Sequence, residues 1–239
     1  MSSLVATHPR WRRLEPDARR EQILECAIEL FGERPYADVS TSDIARRVGV
    51  ARGLLHHYFG SKRDLYLEVV RRMVRLPPVE NAVPATGSLQ QRVDQSVKWY
   101  LDTVGAHGKT YAAVTGPGGI GDDPEVERII RAADNVAATK VLRLAGLQAD
   151  VGSDKPQRAA IRAYGGLVKA TIREWAREGT LTREQAHLIC SNALLCIVRE
   201  VLPRLRGNGT NARGNGSTAR GSGPTTPRRR PKSAASDDT

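Results

Sequence analysis

The sequence predicts an all-α protein, and three observations support this fold class. Apolar residues recur every three or four positions in each long segment, as they do on one face of an α-helix. Helix-capping residues, glycines and prolines separate these segments from one another. No long segment alternates apolar and polar residues as a half-buried β-strand would. The 239 residues lie at the large end of one domain or the small end of two, with ample length for a buried core.

The first part of the chain has the pattern of a helix-turn-helix. An amphipathic helix is predicted over 17–33, with Asp17 as its cap, followed by short helices over 41–48 and 51–58. Gly49 lies between the two short helices, and glycine adopts a left-handed turn conformation without steric cost. Two short helices joined in this way fit a helix-turn-helix, although plain helical hairpins share the spacing.

More helices are predicted further along the chain. Asp123 before Pro124 predicts a capped helix start, and 182-TREQ-185 has the form of a capping box. The adjacent glycines Gly165 and Gly166 suggest a close approach between helices, because glycine is unfavourable inside a helix. The predicted segments are 62–75, 88–107, 109–115, 124–147, 156–179 and 183–205.

The charge distribution points to an anionic partner but not to one surface. The chain has 37 Lys and Arg against 26 Asp and Glu, a net charge of +11, which is typical of proteins that bind nucleic acid or anionic membranes. The two ends, 1–20 and 207–239, carry +7 of this excess, whereas 21–75 carries only +1. We therefore expect a flexible basic arm over 1–16 and a disordered basic tail over 207–239.

Several protein classes are disfavoured by the sequence. The apolar runs are shorter than the ~20 residues of a membrane span, and no signal-peptide pattern is found, so we expect a cytoplasmic protein without a membrane partner. The three cysteines lack Cys-x-x-Cys spacing, and adjacent His56 and His57 diverge around a helix, so no metal and no cofactor is predicted. The segment 116-GPGGIG-121 lacks the Lys and Ser/Thr of a phosphate loop, and no catalytic residue set is recognisable; the chain is not predicted to be an enzyme.

The helix-turn-helix segment is specific enough to suggest a family. The run 43-DIARRVGVARGLLHHYFGSKRDLY-66 resembles the DNA-binding segment of the TetR (tetracycline repressor) family of bacterial transcriptional regulators. The resemblance covers about 17–75, with departures at Val48, Ala51 and His56, where the family usually has Ala, Ser and Tyr. The matching positions are Ile44, Ala45, Gly49, Val50, Gly53, Tyr58, Phe59, Lys62 and Leu65.

This resemblance implies a division into two functional parts. The three-helix head over 17–77 would bind DNA, and the helical domain over 78–206 would bind an effector and form a dimer. In the family, the last two helices pair with their copies, and a C₂ dimer would bind a palindromic operator in successive major grooves. The expected partners are a double-stranded DNA operator, a second copy of the chain and a small-molecule effector.

Candidate DNA contacts follow partly from chemistry and partly from the resemblance. Arg52 is suited to reading a base, because its planar guanidinium can bond a guanine edge in two places, and Leu54 would touch a thymine methyl or pack in the core. Thr41 and Ser42 would bind phosphate or simply cap the second helix. His56 retains a hydrogen-bond donor. The resemblance implies that Gly53 lets the backbone approach the DNA closely. It also implies that His57, Tyr58 and Lys62 bind phosphates.

Aromatic residues of the second domain suggest an effector pocket. The family's middle helices enclose such a pocket, and aromatic side chains would suit an apolar or amphipathic effector, with core packing as the alternative role. The candidates are Trp99, Tyr100, Tyr111, Tyr164 and Trp175.

The predicted function is that of a homodimeric, ligand-responsive transcriptional regulator, more specifically a repressor. The alternative is a sequence-independent, architectural DNA-binding protein, in which the basic ends would supply most of the affinity.

Overall fold

The computed structural model describes residues 15–75, 77, 86–116, 119–120, 123–144 and 155–205. Within these ranges the regular structure is entirely helical, so the predicted all-α fold class is confirmed. The predicted arm up to residue 14, the tail over 207–239 and the last predicted turn over 145–147 lie outside the described residues.

Nine α-helices make up the described part of the chain. They are α1 (Pro16–Glu33), α2 (Thr41–Val48), α3 (Arg52–Phe59), α4 (Lys62–Val74), α5 (Leu89–Gly105), α6 (Gly108–Thr115), α7 (Pro124–Leu144), α8 (Lys155–Ile172) and α9 (Arg183–Cys196). A short 3₁₀ turn at Tyr36–Asp38 precedes α2, and π-helical turns at Arg173–Arg177 and Ile197–Val201 continue α8 and α9.

Local sequence signals account for most helix boundaries. Ser40 caps α2 through a reciprocal pair of hydrogen bonds with Asp43, and Gly49 ends the helix in the left-handed conformation with φ 75°. Thr182 forms the expected capping box with Gln185. The predicted cap of α1 is wrong: the helix begins at Pro16 rather than after Asp17, because proline is pre-organised for the first helical position.

A continuous apolar core joins the head, α1–α4, to the body, α5–α9. In the head, Tyr66 of α4 packs edge-on against Phe31 of α1, with ring centroids 5.0 Å apart. α1 packs on α6 and α4 packs on α7, while in the body α5 contacts α9 and α7 contacts α8. The head is therefore held by two body helices rather than by the connection between α4 and α5 alone.

Some helix surfaces remain uncovered in the single chain. The close helix approach expected at Gly165 and Gly166 is not found within it, because a Cβ atom at either position would meet no atom within 4 Å. Leu167 of α8 and Leu188 of α9 are exposed to solvent at 38% and 61%. None of the described helices combines the length and apolar character that crossing a bilayer requires.

Candidate nucleic-acid interface and effector cavity

The position of α3 follows from its inward-facing residues. Leu55 and Phe59 lie one helical turn apart and are buried, as are Ile44 and Ala45 of α2, so the two short helices share one apolar contact. The Gly49 turn sets the angle between these helices. The remaining faces of α3 are consequently free to present polar groups outward.

One surface groove brings together five of the nine predicted DNA contacts. It runs between the N-terminal ends of α2, α3 and α4, where unpaired backbone N–H groups suit a phosphate. The cap residues Ser40 and Ser61, which the sequence analysis did not select, also line it. The five predicted residues in the groove are Thr41, Arg52, Gly53, His56 and Lys62.

The other four predicted contacts do not line this groove. Ser42 and His57 are exposed, whereas Leu54 and Tyr58 are half-buried. The Tyr58 ring packs against the head core and lies 5.3 Å from the His57 ring, centroid to centroid. Tyr58 therefore combines core packing with a partly exposed edge.

Arginines of the head differ in how far they are already paired. Arg47 bonds both carboxylate oxygens of Glu33, at 2.8 and 3.0 Å, and holds the pKa of that carboxyl below its usual range. Arg46 pairs with Asp43, whose pKa is lowered foremost by the hydrogen bond from the Ser40 side chain. Arg52 is exposed and has no ion-pair or hydrogen-bond partner among the described residues. Its guanidinium is the one best placed to bond an external group.

Lys62 is held by the protein itself. Its Nζ donates to the carbonyl oxygen of Tyr36 at 2.7 Å and lies 4.1 Å from the centre of the Tyr36 ring. Burial lowers the pKa of the ammonium group. Because an ammonium has three donors, the contact leaves others available at the groove, but its position is fixed from within. Both contacts of Lys62 depend on the 3₁₀ turn at Tyr36–Asp38, which the sequence analysis did not predict.

Gly53 is not explained by contacts within the chain. A Cβ atom at this position would meet nothing within 4 Å, and the residue is exposed in the first turn of α3. Glycine in a helix costs about 1 kcal/mol relative to alanine. A group outside the chain that approaches the α3 backbone would account for this glycine.

A cavity of about 130 Å³ lies inside the body, between α5, α6, α7, α8 and α9. Four of the predicted pocket residues line it, namely Trp99, Tyr100, Tyr111 and Tyr164. Trp175 does not: its ring packs 3.0 Å from the Cβ position of Gly105, in a separate groove beside the α5–α6 corner. The π-helical turn at the end of α8 carries Trp175 away from the cavity.

Polar groups are few in this cavity and are internally connected. The hydroxyls of Tyr100 and Tyr111 lie 2.7 Å apart, and burial raises the pKa of Tyr111 to about 12. Lys169 bonds Asp134 at 2.6 Å, and both are mostly buried. The sequence analysis missed this ion pair, although each charge interrupts an otherwise apolar helical face, between Ile130 and Ala138 in the case of Asp134.

Side-chain hydrogen bonds connect the body to the head on two sides. Thr110 of α6, next to Tyr111, donates to the carbonyl oxygen of Ile28 in α1 at 2.7 Å. A Cβ atom on Gly32 would lie 2.3 Å from the Thr110 Oγ1, so the close contact between α1 and α6 requires glycine at this position. On the other side, Arg63 of α4 donates twice to Asp123, at 2.8 and 2.9 Å, and Asp123 caps α7.

Comparisons with known proteins agree with this arrangement. The model of the tetR family of bacterial regulatory proteins matches residues 23–69. The chain is 27% identical over 165 residues, 68% of its length, to the HTH-type transcriptional activator FasR of Mycolicibacterium smegmatis, of which the match covers 73%. It is 44% identical over 62 residues, 26% of its length, to the HTH-type transcriptional regulator BetI of Agrobacterium fabrum, and this match spans only 30% of BetI.

Solved structures show the same fold at low sequence identity. A tetR-family transcriptional regulator from Streptomyces coelicolor aligns with a TM-score of 0.63 at 21% identity, covering 83% of this chain and 89% of that one. The fatty acid degradation regulator FadR of Bacillus halodurans aligns with a TM-score of 0.59 at 17% identity, covering 80% and 98%. These proteins are regulators rather than enzymes. The matched model falls on the helix-turn-helix described above, so the head of this chain has the DNA-binding segment of TetR-type transcriptional regulators.

Proposed function

We propose that the protein is a homodimeric, ligand-responsive repressor that binds a palindromic operator. The observation that carries this proposal is an apolar surface on the last two helices, the α8–α9 face, which consists of Gly166, Leu167, Leu188 and Ile189. Leu188 is 61% exposed and Ile189 39% exposed in the single chain. An apolar patch of this kind on a folded domain is typical of a protein–protein interface.

The residues around this face suit close packing of helices. Gly166 is exposed, and a Cβ atom there would meet nothing within the chain, so a partner helix would account for a glycine that is unfavourable in a lone helix. Ala159, Ala163 and Ala170 are also exposed, and together with Gly166 they follow one another along α8 at spacings of four, three and four residues. A second copy of the chain is a self-complementary partner, which gives a C₂ dimer and a four-helix interface.

A dimer of this kind explains how a small head can recognise an operator. The head, over 17–77, would place α3 in the major groove with Arg52 at a base edge, while the groove around Thr41 and Lys62 would face phosphates. The partner head would contact the next major groove on the same side, about 34 Å away. Such a repressor acts on the chromosome and therefore in the cytoplasm.

Ligand response is supported by the connection of the cavity to the head. The body, over 78–206, would bind an apolar or amphipathic effector beside Tyr111, and the adjacent Thr110 contacts the backbone of α1. An effector that displaces α6 would change the position of α1 and hence the spacing of the two α3 helices. A tenfold loss of operator affinity requires an effector to favour the off-DNA state by about 1.4 kcal/mol.

Selection of binding sites from random DNA tests this function. We expect an inverted repeat to be enriched and two chains to bind each selected duplex, as measured by native mass spectrometry. A run-off transcription assay on the selected operator then determines the sign of regulation, and a repressor predicts fewer transcripts; FasR, the relative that matches over 165 residues, is named an activator. Failure to enrich any sequence would instead support the architectural alternative.

A further inference from the structure

The size of the body cavity limits the ligand that fits it. Its volume is about 130 Å³. An engineered apolar cavity of about 150 Å³ in another protein binds benzene, so the cavity here has room for about a single six-membered ring. The aromatic side chains of Trp99, Tyr100, Tyr111 and Tyr164 form much of the wall, and aromatic rings pack favourably against such walls.

A hydrogen-bond donor remains available inside the cavity. The hydroxyls of Tyr100 and Tyr111 share one hydrogen bond, which uses one of their two hydroxyl hydrogens whichever group donates. The second hydrogen has no acceptor among the described residues, and Tyr111 is only 5% exposed. A buried donor without an acceptor is unfavourable, so a ligand with an acceptor atom at this point would be bound preferentially.

The charges around the cavity favour an anion. Beside Lys140, the lining has three charged side chains, those of Asp134, Lys169 and the exposed Arg162. Lys169 bonds Asp134 at 2.6 Å, so these two charges offset one another and the guanidinium of Arg162 leaves a positive excess at the cavity. A carboxylate on the ligand would restore the charge balance.

Gly165 keeps space for the ring. It lies on the cavity side of α8, and a Cβ atom there would meet no protein atom within 4 Å. Nothing in the packing of the chain itself requires glycine at this point of a helix. The missing side chain enlarges the cavity instead.

We propose that the effector is a small aromatic carboxylate, with one ring in the apolar part of the cavity and the carboxylate bonded to Lys169 and to the tyrosine hydroxyl whose hydrogen is not used in the Tyr100–Tyr111 bond. The inference rests on the proposed ligand-responsive function and names the chemical class of the effector. It distinguishes a single-ring acid from a long-chain acid, which has the same charge but exceeds the cavity, and from a ring of opposite charge.

Calorimetric titration of the full chain with four compounds tests this inference. Benzoate is the probe; benzylammonium reverses the charge, phenol removes it, and decanoate keeps it on a long chain. We expect benzoate to bind about tenfold or more tightly than benzylammonium or decanoate. The double variant Asp134→Asn with Lys169→Gln, which removes both charges together, is expected to abolish the preference for benzoate over phenol.

The variant Gly165→Ala tests the geometry. It is expected to weaken benzoate binding about tenfold while leaving the melting temperature of the ligand-free protein unchanged or raised, because the added methyl group meets only the cavity. Asn135→Ala on the exposed side of α7 improves helix propensity in a similar way outside the cavity, and benzoate should bind this control as it binds the parent.

The possible outcomes separate this inference from the proposed function. Tighter binding of benzylammonium or decanoate, or unchanged benzoate affinity in Gly165→Ala, would overturn the ligand class. A gel-shift assay on the selected operator completes the test: if benzoate binds the cavity and operator affinity does not change, the ligand class stands and the proposed ligand response fails. If only another class of compound binds and releases the operator, the function stands and the aromatic carboxylate is wrong.

Discussion

The outer surface of α3 and the α8–α9 face are alike in one respect and opposite in another. Each contains a helical glycine, Gly53 or Gly166, at which a Cβ atom would meet nothing in the chain. Next to Gly53 the exposed Arg52 has no ion-pair or side-chain hydrogen-bond partner among the described residues, whereas Gly166 is followed by the exposed Leu167 and α8 packs on α9, which carries the exposed Leu188. In the proposed function, each glycine allows another molecule to approach the helix closely, and the surrounding chemistry assigns DNA to α3 and a second copy of the chain to the α8–α9 face.

The largest effect that would break this comparison is expected at Leu188. Leu188→Glu would place an unpaired carboxylate in each half of the proposed dimer interface, at a cost of several kcal/mol per charge. We expect dimerisation to weaken by roughly 100-fold or more, measured by sedimentation velocity, and operator binding to fall with it. Asn135→Glu adds the same charge at an exposed position of α7 and should leave the dimer intact. If Leu188→Glu dimerises with unchanged affinity, the dimer interface must lie on another surface.

A smaller effect is expected at Arg52. Arg52→Ala removes the proposed bidentate base contact and should cost about 1–3 kcal/mol in operator affinity, with no loss of folding stability. Gel-shift titrations with the selected operator and with a scrambled duplex measure the loss of specificity. Arg46→Ala serves as the matched control, because Arg46 is equally exposed but already paired with Asp43. An equal loss on both duplexes would assign Arg52 to a phosphate instead of a base.

The smallest effect is expected at Gly53, where folding stability and operator affinity should change in opposite directions. Gly53→Ala should raise the free energy of unfolding by up to about 1 kcal/mol, because the new methyl group meets nothing in the chain and alanine favours the helix. The same methyl group would lie between α3 and DNA, so operator affinity should fall by about tenfold. Thermal denaturation and gel shifts measure the two effects separately. Improved stability with unchanged operator affinity would refute a close backbone approach at this residue.

The head was predictable because its signals are local. The start of α2 at Ser40 and its end at Gly49 depend on residues at most three or four positions away, and α2 occupies the range that the sequence predicts. The start of α1 was misassigned by the same rules, since Asp17 and Pro16 both favour a helix start and the proline prevailed. The hydrogen bond from Lys62 to the Tyr36 carbonyl oxygen joins residues 26 positions apart. It results from tertiary packing, so no local sequence pattern could predict it.

The cavity was predictable only in its aromatic part. Tyr100 and Tyr111 are eleven residues apart on helices that meet at a sharp corner, and their contact fits the expectation of a shared pocket. Asp134 and Lys169 come together across α7 and α8, so a sequence alone shows two charges on apolar faces without showing that they pair. Trp175 was assigned to the pocket from its residue type, but a π-helical turn decides where its ring points.

The ion pair between Arg63 and Asp123 affects how DNA-binding measurements on this protein are interpreted. Added electrolyte lowers the free energy that is gained when protein binding releases counterions from DNA. It also screens the ion pair, in which Arg63 is half-exposed and which connects α4 to the start of α7. We therefore expect operator affinity to fall with ionic strength for two reasons. One is the smaller counterion contribution at the DNA, and the other is the weaker contact between α4 and α7 within the protein. The slope of log affinity against log electrolyte concentration would then be larger than the phosphate contacts alone produce. An Arg63→Met variant lacks the ion pair, so the difference between its slope and that of the parent measures this excess.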